Sequence, residues 1–194
     1  MNRLALFLLA VPLFASALQP RDLTSADEPH KYLLFQNPAN SKQLIRGVKS
    51  SQPIWLAVVP DIIDSLPQSQ YLALMDALAA SLIRSAPDTL HTLAGVDKVI
   101  AREGHSSQRD RFGSLAICEY VPDPHIYSKQ SVKEYHSRAR AVLPRAGEAG
   151  RLCLEMMDEV IAEMKRDNQK KPYKWGSKDY FKSYYPLTVP TEIP

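Results

Sequence analysis

The sequence predicts a mainly α-helical protein, a small domain of about four to five helices with an irregular C-terminal strap and room for a short two-stranded element near the N-terminus. Three observations carry that expectation. Apolar residues recur at steps of three and four over long stretches, above all from Gly147 to Asp167. Prolines fall at or near the ends of those stretches. Short runs rich in aromatic and β-branched residues, each bounded by Pro or Asn, occur at Lys31–Phe35 and Ile54–Val59.

The chain begins MNRLALFLLAVPLFASA, where Arg3 precedes an apolar run from Leu4 to Phe14 and Ala15-Ser16-Ala17 supplies a small-x-small cleavage pattern. The run is shorter than the roughly 20 apolar residues that span a bilayer, and Pro12 breaks it. Residues 1–17 therefore read as a signal peptide whose removal leaves Leu18 first, which predicts export to a secreted or periplasmic location with no membrane span retained. Residues 18–30 are polar, hold Pro20 and Pro29, and read as a flexible arm. Residues 31–169 form one helical domain, and 170–194 an aromatic and basic tail.

Within the domain the two short runs are expected to pair as a ribbon, which needs a helix to lie on. A first helix starts near Asp64 or Ser65 and runs to about Ser85, with Ala-rich faces that mark it as central. A second starts at Pro87-Asp88 and stops at Gly104, with Gly95 as a point where it can break. Phe112–Val121 reads as a short buried helix ended by Pro122 and Pro124, and Ser131–Val142 as a longer one ended by Pro144. The last, from about Gly147 to Asp167, places Cys153, Met157, Val160 and Met164 on one stripe.

Cys118 and Cys153 are the only cysteines, and in an oxidising compartment an isolated pair is most simply one disulfide. Neither has the neighbouring Cys or His that a zinc site needs, so no metal is assigned. The formal net charge is +3, too small for a chain-wide attraction to nucleic acid. With seven glycines and no Gly-x-Ser-x-Gly or Ser-x-x-Lys pattern, the chain offers no phosphate loop and no serine-hydrolase signature, and no cofactor is expected.

Two sets of residues remain as candidates. Glu103 and His105, with Asp61 and Asp64, supply acid–base groups that would serve a small hydrolase if the fold gathered them. The segment KPYKWGSKDYFKSYYP interleaves lysines with Tyr173, Trp175, Tyr180, Phe181, Tyr184 and Tyr185, residue types that dominate protein interfaces and that also pack a strap onto helices. The leading expectation is a non-enzymatic exported protein that binds another macromolecule, most simply a protein, in the manner of an envelope accessory factor, an inhibitor or immunity protein, or an effector. The alternatives are the hydrolase and a structural envelope component that oligomerises; the sequence does not define an oligomeric state.

Overall fold

The computed structural model describes residues 18–177, and among these the architecture is helical throughout, with no strand. The chain runs through α1 (Pro20–Ser25), α2 (Glu28–Phe35), α3 (Pro38–Lys49), α4 (Pro53–Ala57) and α5 (Val59–Ile62). It continues through α6 (Tyr71–Leu82), α7 (Ala86–Glu103), α8 (Ser114–Cys118), α9 (Lys129–Val142) and α10 (Gly147–Lys170), with short 3-10 turns between some of them. This is more helices than the sequence led us to expect, because prolines in the N-terminal third start helices instead of bounding strands.

That is the physical reason the expected two-stranded element is absent. Pro29, Pro38, Pro53 and Pro60 all sit in the first turn of a helix, where the missing N–H is unneeded and the fixed φ suits the first turn. Asp27 caps α2 by accepting from the His30 N–H at 3.0 Å, so Lys31–Phe35 becomes helix, with Lys31 and Phe35 buried one turn apart. Ile54–Val59 divides between α4 and α5 and buries Trp55, Leu56 and Val59. The arm expected over residues 18–30 is likewise structured. Asp22 accepts from the Gln19 N–H at 2.7 Å in a capping box with Pro20 in the first turn, and Leu18 and Leu23 join the core.

The centre of the molecule is α6. Its Ala- and Leu-rich sequence buries nearly every position, and α3, α7 and α8 pack around it. The helix begins at Tyr71 rather than near Asp64, because Pro67 is extended and the chain makes a turn and a 3-10 segment before α6 can form. α7 runs unbroken through Gly95, which lies against the Pro60 ring, and stops at Gly104 with φ +87°.

Buried among these apolar residues is one carboxylate. Asp76 on α6 accepts hydrogen bonds from the hydroxyls of Tyr120 and Tyr127, the latter at 2.7 Å, and so ties the loop after α8 to the central helix. Burial beside it lowers the affinity of Lys49 for its proton, an effect that the Asp76 charge opposes.

The C-terminal half closes on itself covalently. Cys118 at the end of α8 and Cys153 in the second turn of α10 form a disulfide across a sequence separation of 35, both half-cystines being buried. α9 lies within that loop. It meets α10 through a 3-10 turn at Leu143–Ala146, and Gly150 lets α10 pass so close that a Cβ there would overlap the Leu143 carbonyl oxygen.

Candidate functional site

Two concave surfaces gather chemically capable side chains. The first is a polar cleft of about 570 Å³ between α2, α5, the end of α7 and the 3-10 turn at Arg109–Arg111. Asp61, Asp64 and Glu103 all line it, so the fold brings together three of the four acid–base residues. The fourth, His105, is not on its wall: its ring Nδ1 pairs with Asp110 Oδ1 at 3.0 Å and the side chain is 84 % exposed.

Inside the cleft the carboxylates of Asp64, Glu103 and Glu28 are each paired with a cation. Arg109 Nε donates to both oxygens of Asp64, at 2.8 and 3.0 Å, while its terminal nitrogen donates to the carbonyls of Glu103 and Gly104 at 2.9 and 3.1 Å. Arg109 thereby satisfies the free carbonyls at the end of α7, where positive charge is favoured. Glu103 accepts from Arg102 at 2.7 Å. The buried Lys31 ammonium donates to Glu28 Oε1 and to the Asp61 carbonyl, both at 2.8 Å. Burial alone would raise the Glu28 carboxyl, but hydrogen bonds from Lys31 and Ser65 and the Lys31 charge outweigh it and hold the pKa below the usual glutamate value. Such a network fastens α2, α5 and α7 together. It provides carboxylates in one place but no histidine beside them.

The second surface is a groove of about 400 Å³ along α9 and α10. α9 starts where Ser128 Oγ accepts from the Ser131 N–H at 3.0 Å, and Lys129, Val132, Lys133, His136, Ser137 and Arg140 then form a stripe along one side. Ile161, Met164, Lys165 and Asn168 of α10 make the other side, again at steps of three and four. Val132 and Ile161 form a recessed apolar floor, each 3 % exposed. Trp175 lines the groove as well.

The segment after α10 is what places Trp175. Tyr173 N–H donates to Asn168 Oδ1 at 2.9 Å, and Gly176 N–H donates to the Pro124 carbonyl at 3.0 Å in a turn with φ +60°. The Tyr173 ring stands edge-on between His125 and Trp175, with centroids 6.1 and 5.6 Å away, and Trp175 packs against the core cluster. Burial, with the Asp167 and Glu163 charges, raises the Tyr173 phenol above its ordinary pKa. Tyr173 and Trp175 thus act as a strap, and Trp175 also forms part of a concave surface. Tyr180, Phe181, Tyr184 and Tyr185 lie outside the described residues.

Electrostatically the groove is one-sided. Among the described residues Lys129, Lys133, Arg140 and Lys165 line it, and no carboxylate does. At one end Asp158 accepts from His136 at 2.5 Å and lies 3.4 Å from Arg140. No carboxylate among the described residues comes within ion-pair distance of Lys129, Lys133 or Lys165. The sequence did carry a trace of this site, since Lys129, Val132, Lys133, His136 and Arg140 repeat at helical steps. What it did not show was that this stripe would face α10 and Trp175.

Among the described residues no group of His, Cys, Asp and Glu is arranged to hold a metal ion, and no helix is long and apolar enough to cross a membrane. Comparison with family models, with curated proteins and with solved structures finds no match to this chain.

Proposed function

We propose that this is a non-enzymatic exported protein that acts by binding another macromolecule, most simply a protein, through the groove between α9 and α10. The observation that carries the reading is the combination of an apolar floor, a Trp175 wall and four lysine or arginine side chains in a groove that no carboxylate of the described residues lines. Partly exposed Trp and Arg beside a recessed apolar surface are the elements of which binding hot spots are made. Export is supported by the apolar start of the chain and by the Cys118–Cys153 disulfide, since such bonds persist in oxidising compartments.

The polar cleft supports the alternative, a small hydrolase, through its three gathered carboxylates. Against it stand the Arg109 and Arg102 pairs and the separate position of His105. The two readings separate in one comparison: affinity capture from an extract of the producing cells and of their surroundings, using the wild-type chain and a Trp175→Ala variant, each held well below its own melting temperature. A partner retained by the first and lost by the second is the expected result. Equal capture by both would overturn the assignment of the groove. Ester or glycoside hydrolysis that disappears in an Asp61→Asn variant would favour the enzyme.

A further inference from the structure

We infer that the occupant of the groove is an acidic amphipathic helix presented by a protein partner, a step that rests on the binding function proposed above. The shape comes first. The α9 stripe runs from Lys129 to Arg140, which at about 1.5 Å per residue is a trough roughly 16 Å long, matching about three turns of a third helix. Both walls are helices whose lining residues are spaced at three and four, so their ridges offer the grooves into which another helix's side chains fit.

Chemistry selects the sign of the partner. Val132 and Ile161 lie recessed beneath the charged rim, so a ridge of Leu, Ile or Phe side chains reaches them where a flat layer of lipid headgroups does not. On opposite sides of that floor stand Lys133 and Lys165, neither with a carboxylate of the described residues in reach, and Lys129 continues the rim at the start of α9. Glutamates or aspartates flanking the apolar ridge of an incoming helix meet these ammonium groups as the ridge meets the floor. Asp158 already neutralises the other end through His136 and Arg140, which places the strongest demand for acidic residues at the Lys129, Lys133 and Lys165 end. Trp175 packs over the same end of α10 and supplies a rigid aromatic contact.

The test uses the full chain and two synthetic amphipathic peptides of about four turns. Both carry leucines at i, i+3, i+4 and i+7, one with glutamates at the flanking positions and the other with lysines. Binding is read by anisotropy of the labelled peptide and by Trp emission, with the Trp175→Ala variant identifying the source of the emission change. The acidic peptide is expected to bind at least tenfold more tightly than its lysine twin, and less tightly as salt rises. Lys133→Gln and Lys165→Gln each weaken it by about two- to fivefold without changing the melting curve, as removal of one exposed charge pair should. Trp175→Ala weakens it by more than about tenfold.

Equal binding of the two peptides would overturn the inference in favour of a merely apolar patch. Binding of phosphatidylglycerol vesicles without binding of the acidic peptide would replace the helix with a lipid surface. Binding by a chain ended after Ser177 but not by the full chain would make the protein's own C-terminal segment the occupant. If neither peptide binds while Trp175→Ala still abolishes partner capture, the binding function stands and the acidic helix falls.

Discussion

Replacing Cys118 and Cys153 together with alanine removes the one covalent tie between α8 and α10, and its cost can be worked from the loop the bond closes. With a sequence separation of 35, the chain-entropy relation assigns the crosslink about 4 kcal/mol of stabilisation at room temperature. Both half-cystines are 2 % exposed, so alanine also deletes two buried sulfur atoms, and the small void left adds to the loss in the variant. A domain of this size loses about 2 to 4 °C of melting temperature per kcal/mol, which predicts a fall of about 8 to 15 °C. The assay is urea denaturation of wild type and double variant, with wild type in reductant as a second route to the same state. Reduced wild type, which keeps both sulfur atoms, should show the loop-closure loss alone, and the double variant should fall slightly further. A difference in unfolding free energy below about 1 kcal/mol would refute the claim that loop closure carries the effect. Because α9 lies wholly inside the closed loop, the same experiment reports on the wall of the groove.

Asp76→Ala leaves the half-buried Tyr120 hydroxyl and the buried Tyr127 hydroxyl without the acceptor they share, and should cost about 2 to 4 kcal/mol by chemical denaturation; a loss under about 1 kcal/mol would show that water replaces the carboxylate. Gly150→Ala drives a methyl into the Leu143 carbonyl oxygen and should lower stability by about 1 to 3 kcal/mol, whereas the same change at the open Gly104 meets no neighbouring atom and is opposed only by its positive φ. The Glu28 carboxyl has a folded pKa below that of an ordinary glutamate, so its contribution is fully present above the ordinary value and is lost as pH falls through the lower folded one. A Glu28→Gln variant should therefore show a shallower acid-side decline in melting temperature than wild type, and parallel declines would count against the Lys31 and Ser65 contacts as its cause.

The sequence by itself determined the elements whose physics is local. The ends of α7 and α10 follow from Gly104, Pro87 and the stripe of Cys153 and Met157, and the disulfide follows from there being one pair of cysteines. The central role of α6 was legible in its alanines, since a helix smooth on every side can be touched on every side. The N-terminal third was misleading because a short apolar run has no period long enough to separate strand from helix. There the deciding signals were Asp27 and Gln19 as caps and prolines in first turns, each worth more as a helix start than as a strand boundary.

Only the tertiary structure decided what those elements bring together. Asp61, Asp64 and Glu103 come from α5, the turn after it and α7, and nothing in their spacing foretells that they share a cleft or that Arg109 and Lys31 would occupy it with them. The stripe on α9 was present in the sequence as a pattern, but a helical stripe of lysines and valines is equally the pattern of a plain solvated face. It becomes a groove because the 3-10 turn at Leu143–Ala146 and the close pass at Gly150 lay α10 beside it, and because Asn168 and Pro124 hold Tyr173 and Gly176 so that Trp175 stands over its edge. Helix formation depends on neighbours three and four residues away and can be read from a string of letters, whereas a binding surface depends on contacts made between residues far apart in the chain.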